Sequence, residues 1–221
     1  MRTAAVLPVK SFGRAKQRLG GAVGQPDRSE LAAAMVGDVL AALRAVPRLD
    51  AIVVVTAEPQ AAGAAREAGA HVVDDPVEAG QSVAAGRGVR AALGLGAERA
   101  LLVPGDCPTL DPREVGGLLT AFPQAGVVIV PDRHGSGTNA LLLTPPAAIV
   151  PAFGPGSFAR HAARGAAAGA VVRVAQAPSL ALDVDTPGDL AALRGALEAL
   201  PDAAPRTRAL LERLAPSRAL T

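Results

Sequence analysis

Seven short apolar runs, rich in β-branched residues, alternate with Ala- and Leu-rich segments along this chain. The apolar runs have the length of strands and cover residues 4–9, 51–57, 70–75, 99–105, 126–132, 139–144 and 170–175. The other segments have the spacing of helices and cover residues 27–46, 58–69, 81–96, 111–122 and 185–200. This alternation predicts an α/β fold with a mostly parallel central sheet that helices cover on both faces.

Polar and proline residues mark where several of these helices begin. Asp27 and Ser29 are candidate caps of the first helix, and Glu30 completes a capping-box pattern with Asp27. Pro112 and Pro187 each stand where the first residue of a helix is expected. We therefore expect a helix to start close to each of these positions.

The length of 221 residues, half of them apolar, suits one domain with a sizeable core. After residue 200, a proline stands at each end of a short helical pattern. We expect one domain over residues 1–200 and a tail over 201–221 that is a peripheral helix or flexible. No apolar run reaches the roughly 18 residues of a membrane helix, and no cleavable leader is visible, so we expect a cytoplasmic protein.

Charge and aromatic content argue against a nucleic acid or a membrane as a partner. The net charge is only +2, and the chain has four Phe but no Trp or Tyr, so surfaces on which bases could stack are nearly absent. The single cysteine, Cys107, excludes an internal disulfide. Charge must therefore be considered in local clusters.

The first predicted strand runs directly into a basic loop. Four cations follow within nine residues, with Gly13 among them: Lys10, Arg14, Lys16 and Arg18. Ligands of parallel sheets bind beyond the carboxyl ends of the strands, where this loop belongs. Neither the dinucleotide-binding glycine motif nor the P-loop motif is present. The loop is either a solvated basic turn or a site for an anion such as a triphosphate.

Carboxylates follow two other segments. Asp106 comes at the end of a buried strand, and Asp183 and Asp185 share one face of an extended segment. A divalent cation would remove the repulsion between them, and magnesium commonly uses carboxylates together with phosphate oxygens and water. Alternatively, one aspartate of the pair caps the helix that begins at Pro187. Cys107 is a weak candidate nucleophile, since a lone cysteine is usually a small buried residue.

Two glycine-rich stretches complete the set of candidate site segments. Residues 131–143 join two strands and offer Thr138 at a strand start, and residues 153–165 open a helix at Ser157. Backbone amides at the start of a helix bind anions readily. Arg160 and His161 follow within the first turns of that helix; an ordinary surface position is the alternative for His161.

Five segments in order, LPVKSFGRAKQRL, LLVPGDCPTL, DRHGSGTNALLL, FGPGSFARH and DVDTPGDL, closely resemble the phosphoenolpyruvate/2-phospho-L-lactate guanylyltransferase family of coenzyme F-420 biosynthesis. The resemblance extends from Ala4 to about Ala199. It implies a three-layer α/β/α sandwich of the nucleotide-diphospho-sugar transferase type, which is Rossmann-like. It also implies a guanylyltransferase domain over residues 1–200 and a product that passes to the next enzyme of that pathway.

The same resemblance implies roles for individual residues. GTP would lie over the basic loop, with Lys10 and Lys16 as phosphate ligands and catalytic groups and Arg14 as a further ligand. Gln81 and Ser82 occupy the place of the guanine pocket. Asp106, Asp183 and Asp185 would hold Mg²⁺, and Asp106 would be catalytic. The acceptor, phosphoenolpyruvate or 2-phospho-L-lactate, would be held by Thr138, Gly154 and Ser157, with Arg160 and His161 as further contributors.

The expected reaction is attack of an acceptor phosphate oxygen on the α-phosphorus of GTP with release of pyrophosphate. Because the attacking phosphate is already an anion, no general base is needed. Another nucleotidyltransferase of this fold, acting on a sugar 1-phosphate or on molybdopterin, is the alternative from the same class. A non-catalytic nucleotide-binding regulator is the alternative from another class. It would have little use for the acidic cluster.

Overall fold

The computed structural model describes residues 1–14, 16–20, 23–124 and 126–214, except for the side chain of Arg14. Within these ranges the chain forms one seven-stranded sheet with helices on both sides. The predicted fold class is confirmed, and each predicted strand is present. No helix in the described ranges combines the length and the apolar character that crossing a membrane requires.

The strands are β1 (Thr3–Val9), β2 (Ala51–Thr56), β3 (His71–Asp74), β4 (Arg99–Leu102), β5 (Val127–Pro131), β6 (Thr138–Leu143) and β7 (Val172–Val174). Their order in the sheet is β3-β2-β1-β4-β6-β5-β7. β6 runs antiparallel to both of its neighbours, β4 and β5, and the other pairs are parallel. As a result, the start of β6 lies at the same edge of the sheet as the carboxyl ends of β1 and β4.

The helices are α1 (Gln25–Arg44), α2 (Pro59–Glu67), α3 (Gln81–Gly94), α4 (Pro112–Ala121), α5 (Ser157–Ala167), α6 (Pro187–Ala199) and α7 (Pro205–Arg213). Pro112 and Pro187 begin α4 and α6, as predicted. The predicted cap of α1 is wrong: Gly24 is the N-cap, without a side-chain hydrogen bond, and Asp27 lies inside the first turn. Pro26, a proline suited to a first turn, allows the helix to start earlier than the polar signals indicated.

Two apolar layers cover the two faces of the sheet. Alternate residues of the central strands point to opposite faces. Leu7 and Leu101 therefore belong to the layer beneath α1, α2 and α4, and Val6 and Leu102 belong to the layer beneath α3 and α5. This is the three-layer arrangement that the resemblance implied.

A third apolar cluster lies away from the sheet and joins distant parts of the chain. Its buried members are Leu19, Leu31, Met35, Val184, Leu190, Leu193, Leu197, Ala204, Leu210 and Leu211. Leu19 comes from the basic loop and Val184 from between the two aspartates, whereas Leu210 and Leu211 come from α7. The buried carboxylate of Asp38 in α1 accepts hydrogen bonds from the first amides of α7, at Arg206 (3.2 Å) and Thr207 (2.8 Å). The helix thus packs firmly on α1, while the predicted domain boundary at residue 200 stays a prediction.

Candidate active site

A cavity of about 670 Å³ opens at the edge of the sheet where β1 and β4 end and β6 begins. Its wall combines the basic loop, both acidic segments and both glycine-rich stretches. The predicted site residues that line it are Lys10, Lys16, Gln81, Asp106, Thr138, Gly154, Ser157, Asp183 and Asp185. Segments far apart in the sequence therefore meet at one place.

Lys16 lies at the centre of the charged part of this cavity. Its Nζ forms an ion pair with Asp106 Oδ2 and a second one, at 3.2 Å, with Asp185 Oδ1. The other oxygen of Asp185 binds Arg18 at 2.9 Å. The Lys16 side chain is only 6% exposed, whereas that of Arg18 is 72% exposed. The basic loop and the acidic strand ends are thus joined through a buried ammonium group.

Burial and neighbouring charges together shift the pKa values of Lys16 and Asp183. Burial alone would lower the pKa of Lys16, but the charges of Asp106 and Asp185 outweigh burial and raise it. Burial raises the pKa of Asp183, and the negative charge of Asp106 adds to that shift. Asn139 partly opposes the shift by donating a hydrogen bond of 3.2 Å to Asp183 Oδ1. A cation bound beside Asp183 would favour the ionised form of this carboxylate.

Carboxylates from two other loops hold the start of the basic loop. Glu78 accepts hydrogen bonds from the backbone N and the Oγ of Ser11, at 2.5 and 2.8 Å. Glu58 Oε2 accepts one from the Phe12 amide at 2.8 Å. Two carboxylates outside the loop therefore fix its backbone at Ser11 and Phe12, and Lys10 and Lys16 line the cavity.

The segment with the two aspartates is fixed by the start of α6. Thr186 is the N-cap and forms a capping box with Asp189, whose Oδ2 also accepts from the Asp185 amide at 3.1 Å. Neither Asp183 nor Asp185 caps this helix, so that alternative is wrong. Asp189 also forms an ion pair with Arg133 from the glycine-rich stretch between β5 and β6. The acidic segment is thereby linked to the stretch between β5 and β6.

The Arg160 side chain holds the start of the second glycine-rich stretch, residues 153–165, through hydrogen bonds and does not itself line the cavity. Its guanidinium donates to consecutive carbonyls, those of Ala152, Phe153, Gly154 and Pro155. In a trans peptide the C=O and the next N–H point in opposite directions, so the Gly154 and Gly156 amides point away from Arg160. Gly154 and Gly156 have φ values of 105° and 71°, which glycine adopts without strain.

His161 is fully buried behind the same stretch. Its Nε2 accepts a hydrogen bond of 2.8 Å from the Ala152 amide, and its Nδ1 lies 3.0 Å from Thr138 Oγ1. Burial lowers its pKa to about 4, and the charges of Arg164 and Arg160 contribute to the shift. Arg160 and His161 are not among the described residues that line the cavity. The expectation that they contact the acceptor directly therefore lacks support in this geometry, since both bind the protein's own backbone or side chains.

The remaining predicted site residues differ in whether they line the cavity. Lys10 is exposed at the rim, and Gln81 begins α3 at the wall. Ser82 follows in α3 but is not among the described lining residues. The prediction for Arg14 falls on a side chain outside those that the structure describes. The Ser157 amide donates to the Gly154 carbonyl at 3.0 Å, so the loop itself uses this predicted anion donor.

The three predicted metal-binding carboxylates do not form a ready-made cage. Across residues 1–14, 16–20, 23–124 and 126–214, no group of three or more His, Cys, Asp or Glu side chains is arranged to hold a metal ion. Instead, Lys16 occupies the space between Asp106 and Asp185. The Cys107 thiol lies 3.4 Å from the Leu180 carbonyl, and burial raises its pKa well above the usual value. That environment suits a packing residue and not a nucleophile.

Sequence reasoning missed several residues that organise the cavity. Asp189 had a signal, because Thr186 and Asp189 have the spacing of a capping box. Glu58 and Glu78 had none, since their partners lie 46 and 67 residues away in the chain.

Comparisons with known proteins agree with this architecture. Residues 3–195 match the model of a family described as "Guanylyl transferase CofC like". A relative from Conexibacter woesei, named phosphoenolpyruvate guanylyltransferase, is 49% identical over 97% of both chains. One of the same name from Sphaerobacter thermophilus is 39% identical over 88% of this chain and 94% of its own.

A solved structure from Desulfovibrio desulfuricans G20, described as a nucleotide-diphospho-sugar transferase, shares the fold. Its TM-score is 0.76 at 18% identity, with coverage of 96% of this chain and 95% of the other. The resemblance carried by the five sequence segments is confirmed, because the family model spans all of them. The chain belongs to the family of CofC-like guanylyl transferases.

Proposed function

We propose that this protein transfers the guanylyl group of GTP to phosphoenolpyruvate, or to 2-phospho-L-lactate, and releases pyrophosphate. One observation carries the proposal: a single cavity joins an end with ion-paired side chains, around Lys16, Asp106 and Asp185, to an end formed by Thr138 and the 153–157 loop. We call these the nucleotide end and the acceptor end. The names of the relatives favour phosphoenolpyruvate, and the product would enter coenzyme F-420 biosynthesis through the next enzyme.

At the nucleotide end, the triphosphate of GTP is expected to bind Lys10 and Lys16. The ion pairs of Lys16 support this role, since they hold the ammonium group in the cavity before the nucleotide arrives. Arg14 and Arg18 are further candidates for phosphate contacts. Gln81 and Ser82 remain the proposed guanine-binding residues, and Gln81 has the support of its place in the cavity wall.

A divalent ion, which we propose to be Mg²⁺, fits the donor chemistry of the nucleotide end. Asp106 and Asp185 already share one cation, the Lys16 ammonium, and burial, with the charge of Asp106, raises the pKa of Asp183. Magnesium needs only one or two carboxylates when phosphate oxygens and water complete its shell. We propose Asp106, Asp183 and Asp185 as its protein ligands, and the ion would neutralise charge on the phosphates.

At the acceptor end, the phosphorylated acid is expected to meet Thr138, Gly154 and Ser157. The Arg160 contacts with the Phe153 and Pro155 carbonyls support this assignment because they direct the Gly154 and Gly156 amides away from the guanidinium. An acceptor phosphate oxygen would then attack the α-phosphorus of GTP. A new phosphoanhydride bond forms as the bond to the β-phosphate oxygen breaks, and pyrophosphate carries the electron pair away. The protein's part is to hold two polyanions in line.

The test is pyrophosphate release by the full chain with Mg²⁺, each of GTP, ATP, CTP and UTP, and each of three acceptors: the two acids and a sugar 1-phosphate. The expected result is rapid release with GTP and phosphoenolpyruvate, and a product whose mass equals that of the acid plus a guanylyl group. Release with GTP and only a sugar 1-phosphate, or no release with any acid, would overturn the proposal. Binding of GTP without turnover would indicate a regulator.

A further inference from the structure

The buried contact between His161 and Thr138 determines which way a proton points in the acceptor end. The Ala152 amide lies 2.8 Å from His161 Nε2. A backbone amide can only donate, so Nε2 must accept and carries no hydrogen. A neutral imidazole holds its one hydrogen on the other nitrogen. His161 is therefore the tautomer with hydrogen on Nδ1.

That tautomer fixes the role of the Thr138 hydroxyl. His161 Nδ1 lies 3.0 Å from Thr138 Oγ1 and both side chains are buried, so the Nδ1 hydrogen is donated to Oγ1. A hydroxyl that accepts from one side still has its own hydrogen to donate. The structure gives Thr138 Oγ1 no second partner within the described ranges, and Thr138 lines the cavity whereas His161 does not.

The surroundings keep His161 neutral and in place. Burial and the nearby cations Arg164 and Arg160 lower its pKa to about 4, so it carries no charge near pH 7. Phe153 packs edge-on against the ring, with centroids 5.1 Å apart and planes at 74°. A charged ring would have to donate from both nitrogens, which the Ala152 amide does not allow.

We propose that His161 is a positioning residue that holds the Thr138 hydroxyl as a hydrogen-bond donor to an oxyanion of the acceptor. The inference rests on the proposed function, because it takes the acceptor to be a phosphorylated acid bound at this end of the cavity. The direction of the His161–Thr138 hydrogen bond stands apart from that assumption. The proposal predicts that the acceptor end selects ligands that can accept a hydrogen bond from the Thr138 hydroxyl.

The first test reads the tautomer directly. Nitrogen-edited NMR of the histidine rings in the full chain at pH 7 should show one ring with a slowly exchanging hydrogen on Nδ1 and a bare Nε2. The resonance is assigned by its loss in His161→Gln. A hydrogen on Nε2, or a charged ring, would overturn the inference whatever the protein's activity.

The second test is a double-mutant cycle on the KM for phosphoenolpyruvate. Thr138→Val removes the donor and should raise this KM about tenfold, as expected for a hydrogen bond to a charged group. Thr138→Ser keeps the hydroxyl and should stay within about threefold of wild type. His161→Gln keeps an acceptor near the Ala152 amide but carries its NH2 donor one atom further along the side chain than Nδ1, away from Thr138, and should raise the KM by roughly three- to tenfold.

Comparing the KM values of the single and double variants distinguishes a positioning role of His161 from a purely structural one. If His161 acts through Thr138, the double variant should be no worse than Thr138→Val alone, and the KM for GTP should not change. Additive losses, or equal losses in both KM values, would overturn the inference. Wild-type protein that releases no pyrophosphate with either acid would instead overturn the proposed function. In that case the NMR result, with isothermal titration of phosphoenolpyruvate onto the same variants, still decides the inference.

Discussion

Ionised side chains face one another at the nucleotide end of the cavity, whereas a backbone loop forms the acceptor end and is held from behind. Lys16 is shared by two carboxylates in the first region. Arg160 and His161 bind carbonyls, an amide and a hydroxyl in the second. Charge removed from the first region takes away a ligand directly. Charge removed from the second acts only through the shape of a loop, so variants in the two regions should differ in which kinetic constant they change.

The largest effect is expected at the nucleotide end, from Asp106→Asn. This variant loses the ion pair with Lys16 and a proposed metal ligand, so pyrophosphate release should fall at least about 10³-fold while the protein stays folded. Stopped turnover with unchanged circular dichroism would meet this expectation. Asp202→Asn, at an exposed position between α6 and α7, is the matched control. Near-wild-type turnover by Asp106→Asn would remove the assigned role of the carboxylate.

Lys16→Met should have the next largest effect, a fall of about 10²-fold in kcat/KM for GTP. The ammonium is buried between two carboxylates, so its loss also leaves their repulsion uncompensated. Arg18→Met removes an exposed partner of Asp185 and should cost less than about fivefold. Equal losses in the two variants would show that only the total charge of the loop matters.

Arg160→Gln tests the acceptor end. The loop carbonyls lose their shared donor, so the KM for phosphoenolpyruvate should rise about tenfold while the KM for GTP stays constant. Arg173→Gln removes a cation of similar size from the surface of β7, where its contact is with the neighbouring Val172 carbonyl, and should leave both constants unchanged. An equal rise in both KM values for Arg160→Gln would mean that the two ends are not independent.

Leu211→Ala tests the support of the nucleotide end through the third apolar cluster. The side chain is 3% exposed, and its truncation should lower the free energy of unfolding by about 2–4 kcal/mol. Because Leu19 and Val184 share the cluster, the KM for GTP should rise a few-fold and that for the acid should not. Urea unfolding and steady-state kinetics measure both. A rise confined to the acid's KM would contradict this link.

The last prediction concerns the pH dependence of stability, which leaves activity near pH 7 unchanged. The pKa of His161 falls from 6.5 to about 4 on folding. Between these values the unfolded chain binds one more proton than the folded protein, so stability is lost as the pH falls from 6.5 towards 4, by at most about 1.4 kcal/mol per pH unit. Denaturant titrations should show a shallower loss in His161→Gln. An unchanged slope would mean that other groups carry the dependence.

The spacing of apolar residues predicted the strands, the helices and the α/β fold class, because each strand and helix in this chain shows the periodicity typical of its type. The start of α1 was missed, since a proline in the first turn outweighed the polar caps. Strand ends located Lys16 and Asp106 because parallel topology brings such ends together. The sequence could not tell that Arg160 and His161 face the back of a loop, since charge alone does not say which side of a helix start a residue occupies. The long-range contacts of Glu58 and Glu78 likewise arise only from the tertiary fold.

The packing of α7 on α1 has a consequence for how the protein becomes active during synthesis. Leu19 leaves the ribosome long before Leu210 and Leu211, which belong to the same cluster. Domains generally fold as units once their parts are available. The central strands can pair early, but the basic loop acquires its full packing only after α7 emerges. A nascent chain stalled after α6 would therefore hold a nearly complete sheet and an unfinished nucleotide site.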